Sequence, residues 1–122
     1  MNYRTEKDAL GEKKVLADKY WGIHTQRAIE NFPLSGMPVS AGLVRGLALV
    51  KKAACLANRE LGYLSEFKAL AIEAACDEVL AGKLSGQWPL DALQGGAGTS
   101  TNMNMNEVLA NRAIELLGGE KG

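Results

Sequence analysis

Residues 95–108, GGAGTSTNMNMNEV, place three glycines, three hydroxyl side chains and three asparagines at the start of a predicted helix. This composition is poor for packing a core, but it suits a loop that folds backbone N–H groups around a small anion. Because a helix start leaves N–H groups unpaired and carries partial positive charge, it stabilises a carboxylate or phosphate. Composition alone leaves two interpretations open: an anion-binding loop, or an ordinary glycine-rich turn with a Thr or Ser N-cap.

The two common phosphate-binding motifs do not fit this loop. A P-loop requires Lys after its second conserved glycine, whereas Thr99 follows Gly98. In the dinucleotide fingerprint, Gly96 and Gly98 fit the first two glycines, but Thr101 stands at the third and no β-rich run precedes it. A small carboxylate is therefore the better predicted anion.

Length and charge narrow the class of protein. A chain of 122 residues with 47% hydrophobic content predicts one globular domain. Its 14 basic and 14 acidic residues cancel, which disfavours a nucleic acid or a membrane surface as partner. No apolar run approaches the ~20 residues of a membrane span, and the polar N-terminus lacks a signal peptide, so we expect a cytoplasmic chain. Cys55 and Cys76 lack CxxC spacing, which predicts buried apolar residues and no metal site.

Three helices are predicted after a polar N-terminal arm that is irregular or short β. The first covers residues 41–61 after the N-cap Ser40, and the second begins after the N-cap Ser65 and ends near Ala81. A connector over 83–94 leads to the third helix, over 103–117. Their predicted core faces are, in chain order, Leu43, Leu47, Val50, Ala54, Ala57 and Leu61; Ala69, Ile72, Cys76 and Val79; Met105, Leu109, Ala113 and Leu116.

Further apolar residues, among them Leu49 and Leu70, lie off these faces. Either the helices pack on more than one side, or apolar surface is left for another domain or subunit. Because the sequence stops directly after the third helix, without a closing element, we expect it to be part of a longer protein.

Three stretches together resemble the aspartase/fumarase superfamily: YWGIHTQRAIENF at 20–32, VKKAACLANRELG at 50–62 and GGAGTSTNMNMNEVLANRAIELLG at 95–118. The resemblance extends from about Arg4 to the last residue. The GGAGTS form of the loop resembles the ammonia-lyase branch, whereas the hydratase branch has GSGT followed by Gln. The resemblance implies a mainly α fold in which residues 1–122 are a truncated N-terminal domain, without the central helical bundle and the C-terminal domain.

The resemblance also implies a reaction, the reversible conversion of L-aspartate to fumarate and ammonia through an aci-carboxylate intermediate, without a metal or organic cofactor. It implies a homotetramer whose active sites are shared between subunits. The catalytic base of the family, a Ser on a mobile loop, has no equivalent in this sequence, so we expect no catalytic residue here and no activity from these residues alone. The alternatives are a segment of a fumarate hydratase-like lyase and a non-catalytic helical interaction domain.

By the family motif, Thr99 is the contact to a substrate carboxylate, with Ser100 beside it. Thr101, Asn102 and Asn104 are predicted to support the loop.

Two residues outside the loop are weaker candidates for the site. His24, the only imidazole, is either a general base or electrostatic anchor, or a structural residue. Arg27 either reaches a dicarboxylate as a bidentate partner or pairs with Glu30 on the same helical turn.

Overall fold

The computed structural model describes all residues, 1–122. A two-stranded antiparallel hairpin precedes four helices, and Tyr3 lies opposite Leu16 in the hairpin register. This mainly α fold with a short β arm confirms the predicted fold class. The elements are β1 Tyr3–Asp8, β2 Gly11–Leu16, α1 Ile23–Asn31, α2 Ala41–Glu60, α3 Glu66–Leu80, a 3₁₀ turn Ser85–Gln87 and α4 Thr99–Leu116.

The starts of α2 and α3 are fixed by the local signals that predicted them. Ser40 Oγ accepts a hydrogen bond from Leu43 N at 3.1 Å, and Ser65 Oγ accepts one from Lys68 N at 3.4 Å. The C-caps of α2 and α3, Leu61 and Ala81, both have ordinary helical backbone angles. The helix ends that the sequence predicted agree with the observed ends to within one residue. The two predicted helices are confirmed.

No helix of the structure combines the length and the apolar character that a membrane crossing needs.

The main core lies where α2, α3 and α4 meet. Burial of the predicted α3 face is confirmed, although Ile72 is only partly buried. Burial of Cys55 is also confirmed, and so is burial of all the predicted core residues of α4 except Leu116. Burial also raises the pKa of the Cys76 thiol to about 11, which keeps it protonated at neutral pH. The core residues are Val44, Ala48, Ala75, Cys76, Val79, Met105 and Leu109.

The predicted core face of α2 is wrong except at Leu47, which is partly buried and packs against the core. Ala54 and Ala57 are exposed. Leu43, Val50 and Leu61 are 50%, 62% and 68% exposed, and Leu116 of α4 is 42% exposed. The face that packs against α3 and α4 instead carries the smaller residues Val44, Ala48 and Cys55. Small side chains allow close approach of the helices, and the larger side chains of Leu43, Val50 and Leu61 are left on the outer face.

Helix α1 replaces part of the arm that the sequence predicted as irregular. Its N-cap, Gly22, has no side chain to cap the helix. Two distant carboxylates take that role: Glu6 Oε2 accepts from Ile23 N at 2.7 Å, and Glu107 accepts from His24 N at 3.0 Å and Thr25 N at 2.9 Å. Negative charge at this end also complements the helix dipole. The helix start therefore depends on contacts with β1 and α4.

Candidate functional site

The glycine-rich loop leads directly into α4, which begins at Thr99, four residues before the predicted start at Met103. Three glycines make the turn: Gly95, Gly96 and Gly98 have φ of 72°, 54° and 78°. L side chains rarely adopt this left-handed conformation, so the path of the loop requires glycine at these positions.

The backbone N–H groups of residues 94–100 have no hydrogen-bond partner within the chain. The next N–H group, that of Thr101, is bonded to Gly98 O at 3.2 Å and to Gln94 Oε1 at 2.8 Å. Two of the free groups, those of Thr99 and Ser100, belong to the first turn of α4, where a helix dipole favours negative charge. The loop is therefore a row of available donors for an anion.

A cleft of about 550 Å³ separates this loop from the start of α2. Its walls include Ser40, Leu43 and Leu93 together with the loop glycines, and none of its lining residues is charged. No group of three His, Cys, Asp or Glu side chains lies close enough to hold a metal ion. Thr101 and the loop glycines line the cleft, whereas Thr99 and Ser100 do not, so an anion in the cleft would meet neutral donors, chiefly backbone N–H groups of the loop.

The structure separates the predicted loop residues into two groups. Thr99 is exposed and Ser100 half-buried, and neither hydroxyl has a hydrogen-bond partner in the chain. The N-cap of α4 is Gly98, so neither residue is the N-cap that an ordinary turn would use. Thr101 is buried and donates its hydroxyl to Gln94 Oε1 at 2.8 Å. Asn104 is buried too, and its Nδ2 donates to Gln87 O at 3.1 Å.

Asn102, the remaining predicted supporting residue, is half-buried, and its side chain makes no hydrogen bond within the chain. Its backbone N–H donates to Gly98 O at 3.5 Å. The roles of all five loop residues toward a substrate stay predictions.

The structure does not bring His24 and Arg27 to the loop. The Arg27 guanidinium makes two hydrogen bonds of 2.8 Å with Asp8, and not with Glu30, so it fixes the β1–β2 hairpin to α1. His24 contacts α4 at Glu107, which lies eight residues beyond Thr99, or about 12 Å along the helix axis. Its Nδ1 is buried without a hydrogen-bond partner. A role of either side chain toward substrate stays a prediction.

Sequence reasoning missed Gln94, which holds the loop, and Asp91, which holds the connector before it. The Asp91 carboxylate accepts hydrogen bonds from Ser35 Oγ at 2.6 Å, Ser35 N at 2.7 Å, Leu93 N at 2.7 Å and Gly36 N at 2.9 Å. These bonds, led by that of the Ser35 hydroxyl, hold the pKa of Asp91 well below its ordinary value. The only available signal was an Asp within the connector, which does not identify the distant Ser35.

We expect the stability of the chain to depend on pH through Asp91. A carboxylate whose pKa is lower in the folded state stabilises the fold above its unfolded pKa, about 3.9, and this contribution is lost as the pH falls toward the folded pKa. The difference in melting temperature between wild type and Asp91→Asn should therefore be largest above about pH 5 and shrink below pH 4. Thermal unfolding between pH 7 and pH 2 measures it.

The control for this prediction is Asp18→Asn. The Asp18 side chain is 72% exposed and has only Lys19 within reach, at 3.6 Å. Its substitution should leave the melting curve close to wild type. A difference between wild type and Asp91→Asn that stays constant over the whole pH range would contradict the prediction.

Comparison with known proteins identifies the family. A family model described as a lyase matches residues 11–121. The chain is 60% identical over 121 residues to a fumarate hydratase class II of Halobacterium salinarum and 56% identical over 124 residues to an aspartate ammonia-lyase of Escherichia coli strain K12. It belongs to the aspartase/fumarase superfamily of lyases. The match to each of these relatives covers 99% of this chain and 26% of the relative. This superfamily member therefore spans about a quarter of the length of these relatives.

Solved structures of the superfamily have the same fold as this member. A fumarate lyase:delta crystallin from Brucella melitensis in native form superimposes with a TM-score of 0.96 at 53% identity, over 99% of this chain and 29% of the other. A class II fumarase from Schistosoma mansoni superimposes with a TM-score of 0.94 at 37% identity, over 99% of this chain and 26% of the other. The hairpin and the four helices therefore form an arrangement shared with both structures.

Proposed function

We propose that this chain supplies the substrate-carboxylate loop of a longer lyase subunit that converts L-aspartate reversibly to fumarate and ammonia. The observation that carries the proposal is the row of unpaired N–H groups over residues 94–100, beside the unbonded Thr99 hydroxyl. The GGAGTS form of the loop, which resembles the ammonia-lyase branch, supports the choice of reaction. So do relatives named aspartate ammonia-lyase, which include a Bacillus subtilis protein 53% identical over 120 residues.

The chemistry explains why such a loop is needed. A base removes a proton from the carbon next to one carboxylate, and the electron pair moves into that carboxylate to form an aci-carboxylate. The electron pair then returns to form the carbon–carbon double bond of fumarate, and the neighbouring carbon–nitrogen bond breaks to release ammonia. Donors fixed before the reaction stabilise the extra negative charge without reorganising, and removing one such donor costs about 3–4 kcal/mol in related oxyanion sites.

In this proposal Thr99 donates its hydroxyl to the carboxylate, and Ser100 donates beside it. Thr101, Asn102 and Asn104 keep the start of α4 in place. The base belongs to a part of the subunit outside these residues. The proposed assembly is a homotetramer with shared active sites, and the exposed apolar face of α2, with Leu43, Val50 and Leu61, offers a surface for another domain or subunit.

A second candidate is hydration of fumarate to malate. The 60% identity to the Halobacterium salinarum protein named fumarate hydratase class II favours it. Both reactions form the same kind of carboxylate-stabilised carbanion, so the loop fits either one. The group that leaves, ammonia or water, distinguishes them, and recognition of that group lies outside the loop.

We expect the complete subunit to prefer L-aspartate to L-malate by at least about 10²-fold in kcat/KM, because a site built to bind an amine rejects the analogue that lacks it. Ultraviolet absorbance of fumarate measures both reactions. The 122-residue chain at the same concentration is the control and should form no fumarate from either compound. A preference for L-malate would overturn the ammonia-lyase proposal in favour of the hydratase.

A further inference from the structure

Gln94 is a buried polar residue, 8% exposed, next to the glycine-rich loop. Its Oε1 accepts two hydrogen bonds of 2.8 Å, from the backbone N and the Oγ1 of Thr101. Its Nε2 donates to Asp91 O at 2.9 Å. Because the Thr101 N–H can only donate, the atom that faces it must be the amide oxygen, which fixes the orientation of the side chain.

This arrangement replaces an ordinary helix cap. The N-cap position of α4 is a glycine, so the side-chain acceptor that usually satisfies the first turn is absent there. Ser and Thr side chains near a helix start tend to turn back and bond to nearby backbone N–H groups. With Gln94 already bonded to Thr101, the hydroxyls of Thr99 and Ser100 are not needed for capping.

The far side of Gln94 is also anchored. Asp91, whose carbonyl receives the Gln94 amide, is itself held by Ser35 and Gly36 of the segment between α1 and α2. The connector is further joined to that segment where Ala92 N donates to Met37 O at 2.8 Å. A continuous set of hydrogen bonds therefore runs from the α1–α2 segment through Asp91 and Gln94 to the first turn of α4.

We infer that Gln94 is a positioning residue that holds the loop N–H groups and the Thr99 and Ser100 hydroxyls in the arrangement that binds a substrate carboxylate. This inference rests on the proposed function. Without Gln94, the loop would be in the binding arrangement for only part of the time. The apparent affinity for the substrate would fall in proportion to the fraction of time that the loop spends in that arrangement. Once substrate is bound, the loop is ordered again, so the chemical step should be little affected.

The test compares Gln94→Met with Gln87→Met in the complete subunit. Gln87 is a matched control: it is 9% exposed, and its Oε1 accepts a hydrogen bond from Tyr20 N at 2.8 Å. Its bond with Asn104 is made by the backbone oxygen, which the substitution leaves in place. Both variants should lower the melting temperature to a similar degree. Only Gln94→Met should raise KM for L-aspartate, by about tenfold, with kcat within about twofold of wild type.

Two substitutions of Thr101, the residue that donates to Gln94, complete the kinetic test. Thr101→Ser keeps the hydroxyl that donates to Gln94 and should keep the wild-type KM, whereas Thr101→Val removes it and should raise KM. Unchanged KM in Gln94→Met, or an equal rise in Gln87→Met, would overturn the inference.

A measurement without substrate separates this inference from the proposed function. In the 122-residue chain, ¹⁵N order parameters of residues 95–100 should fall in Gln94→Met and remain at wild-type values in Gln87→Met. Unchanged order parameters in Gln94→Met would overturn the positioning role. If Gln94→Met loosens the loop but Thr99→Val has normal kinetics, the proposed function fails and the structural role of Gln94 stands.

Discussion

Thr99→Val in the complete subunit is expected to lower kcat/KM for L-aspartate by about 10²-fold or more. Valine keeps nearly the same volume and removes one hydroxyl donor. The Thr99 hydroxyl makes no hydrogen bond within the chain and does not cap α4, so its removal leaves no internal group unsatisfied. The melting temperature should therefore stay near that of wild type while the reaction slows. Steady-state kinetics and thermal unfolding of the same sample measure both quantities.

Thr99→Ser is the matched variant, because it keeps the hydroxyl and loses only a methyl group. It should retain kcat/KM within about tenfold of wild type. Normal kinetics in Thr99→Val would show that Thr99 is a turn residue and not a substrate contact. A melting temperature lowered in Thr99→Val with normal kinetics would lead to the same conclusion, since the loss of a helix cap costs stability and not transition-state binding.

The elements that the sequence predicted well are those with local signals. Ser40 and Ser65 each bond to an N–H three residues later, so the cap and the helix that it starts lie within one short stretch of sequence. The glycine-rich loop was likewise found because Gly95, Gly96 and Gly98 are needed for backbone conformations that other residues rarely adopt.

The elements that the sequence did not predict depend on residues far away in the chain. Helix α1 begins after Gly22, which has no side chain to cap it. The carboxylates that accept from its first N–H groups lie 17 residues before and 83 residues after those groups. The start of α4 is a different case: Gln94, which fixes it, lies only seven residues before Thr101, but it stands within an apparent loop and belongs to no periodic pattern. No window of sequence contains both partners of the α1 contacts.

The outer face of α2 was mistaken for the core because periodicity shows which residues share a face, not which face meets the rest of the chain. Leu43 and Val50 recur at helical spacing as core residues do, yet the face with Val44 and Ala48 is the one that packs. The apolar pattern of α2 thus covers two faces, and residues of this chain pack against only one of them.

Gly22→Ala is expected to destabilise the fold by about 1–2 kcal/mol and to lower the melting temperature by about 5 °C. The backbone of Gly22, with φ of −115°, is open to any residue, so the cost is not conformational strain. A Cβ at this position would instead overlap Glu107 Oε2 and lie 2.9 Å from Glu6 Oε2, the two carboxylates that cap α1. Moving them away leaves the first N–H groups of the helix without partners. Thermal unfolding of the 122-residue chain measures the effect.

Two further variants identify the cause of that loss. Gly46→Ala is the control, because a Cβ there meets nothing within 4 Å; in the interior of α2 it should stabilise the chain, by up to about 1 kcal/mol. In a Glu107→Ala background, Gly22→Ala should cost much less than in wild type, since the main atom that it displaces is gone. Equal costs in the two backgrounds would show that Gly22 is required for a reason other than the approach of Glu107, and that α4 does not set the start of α1.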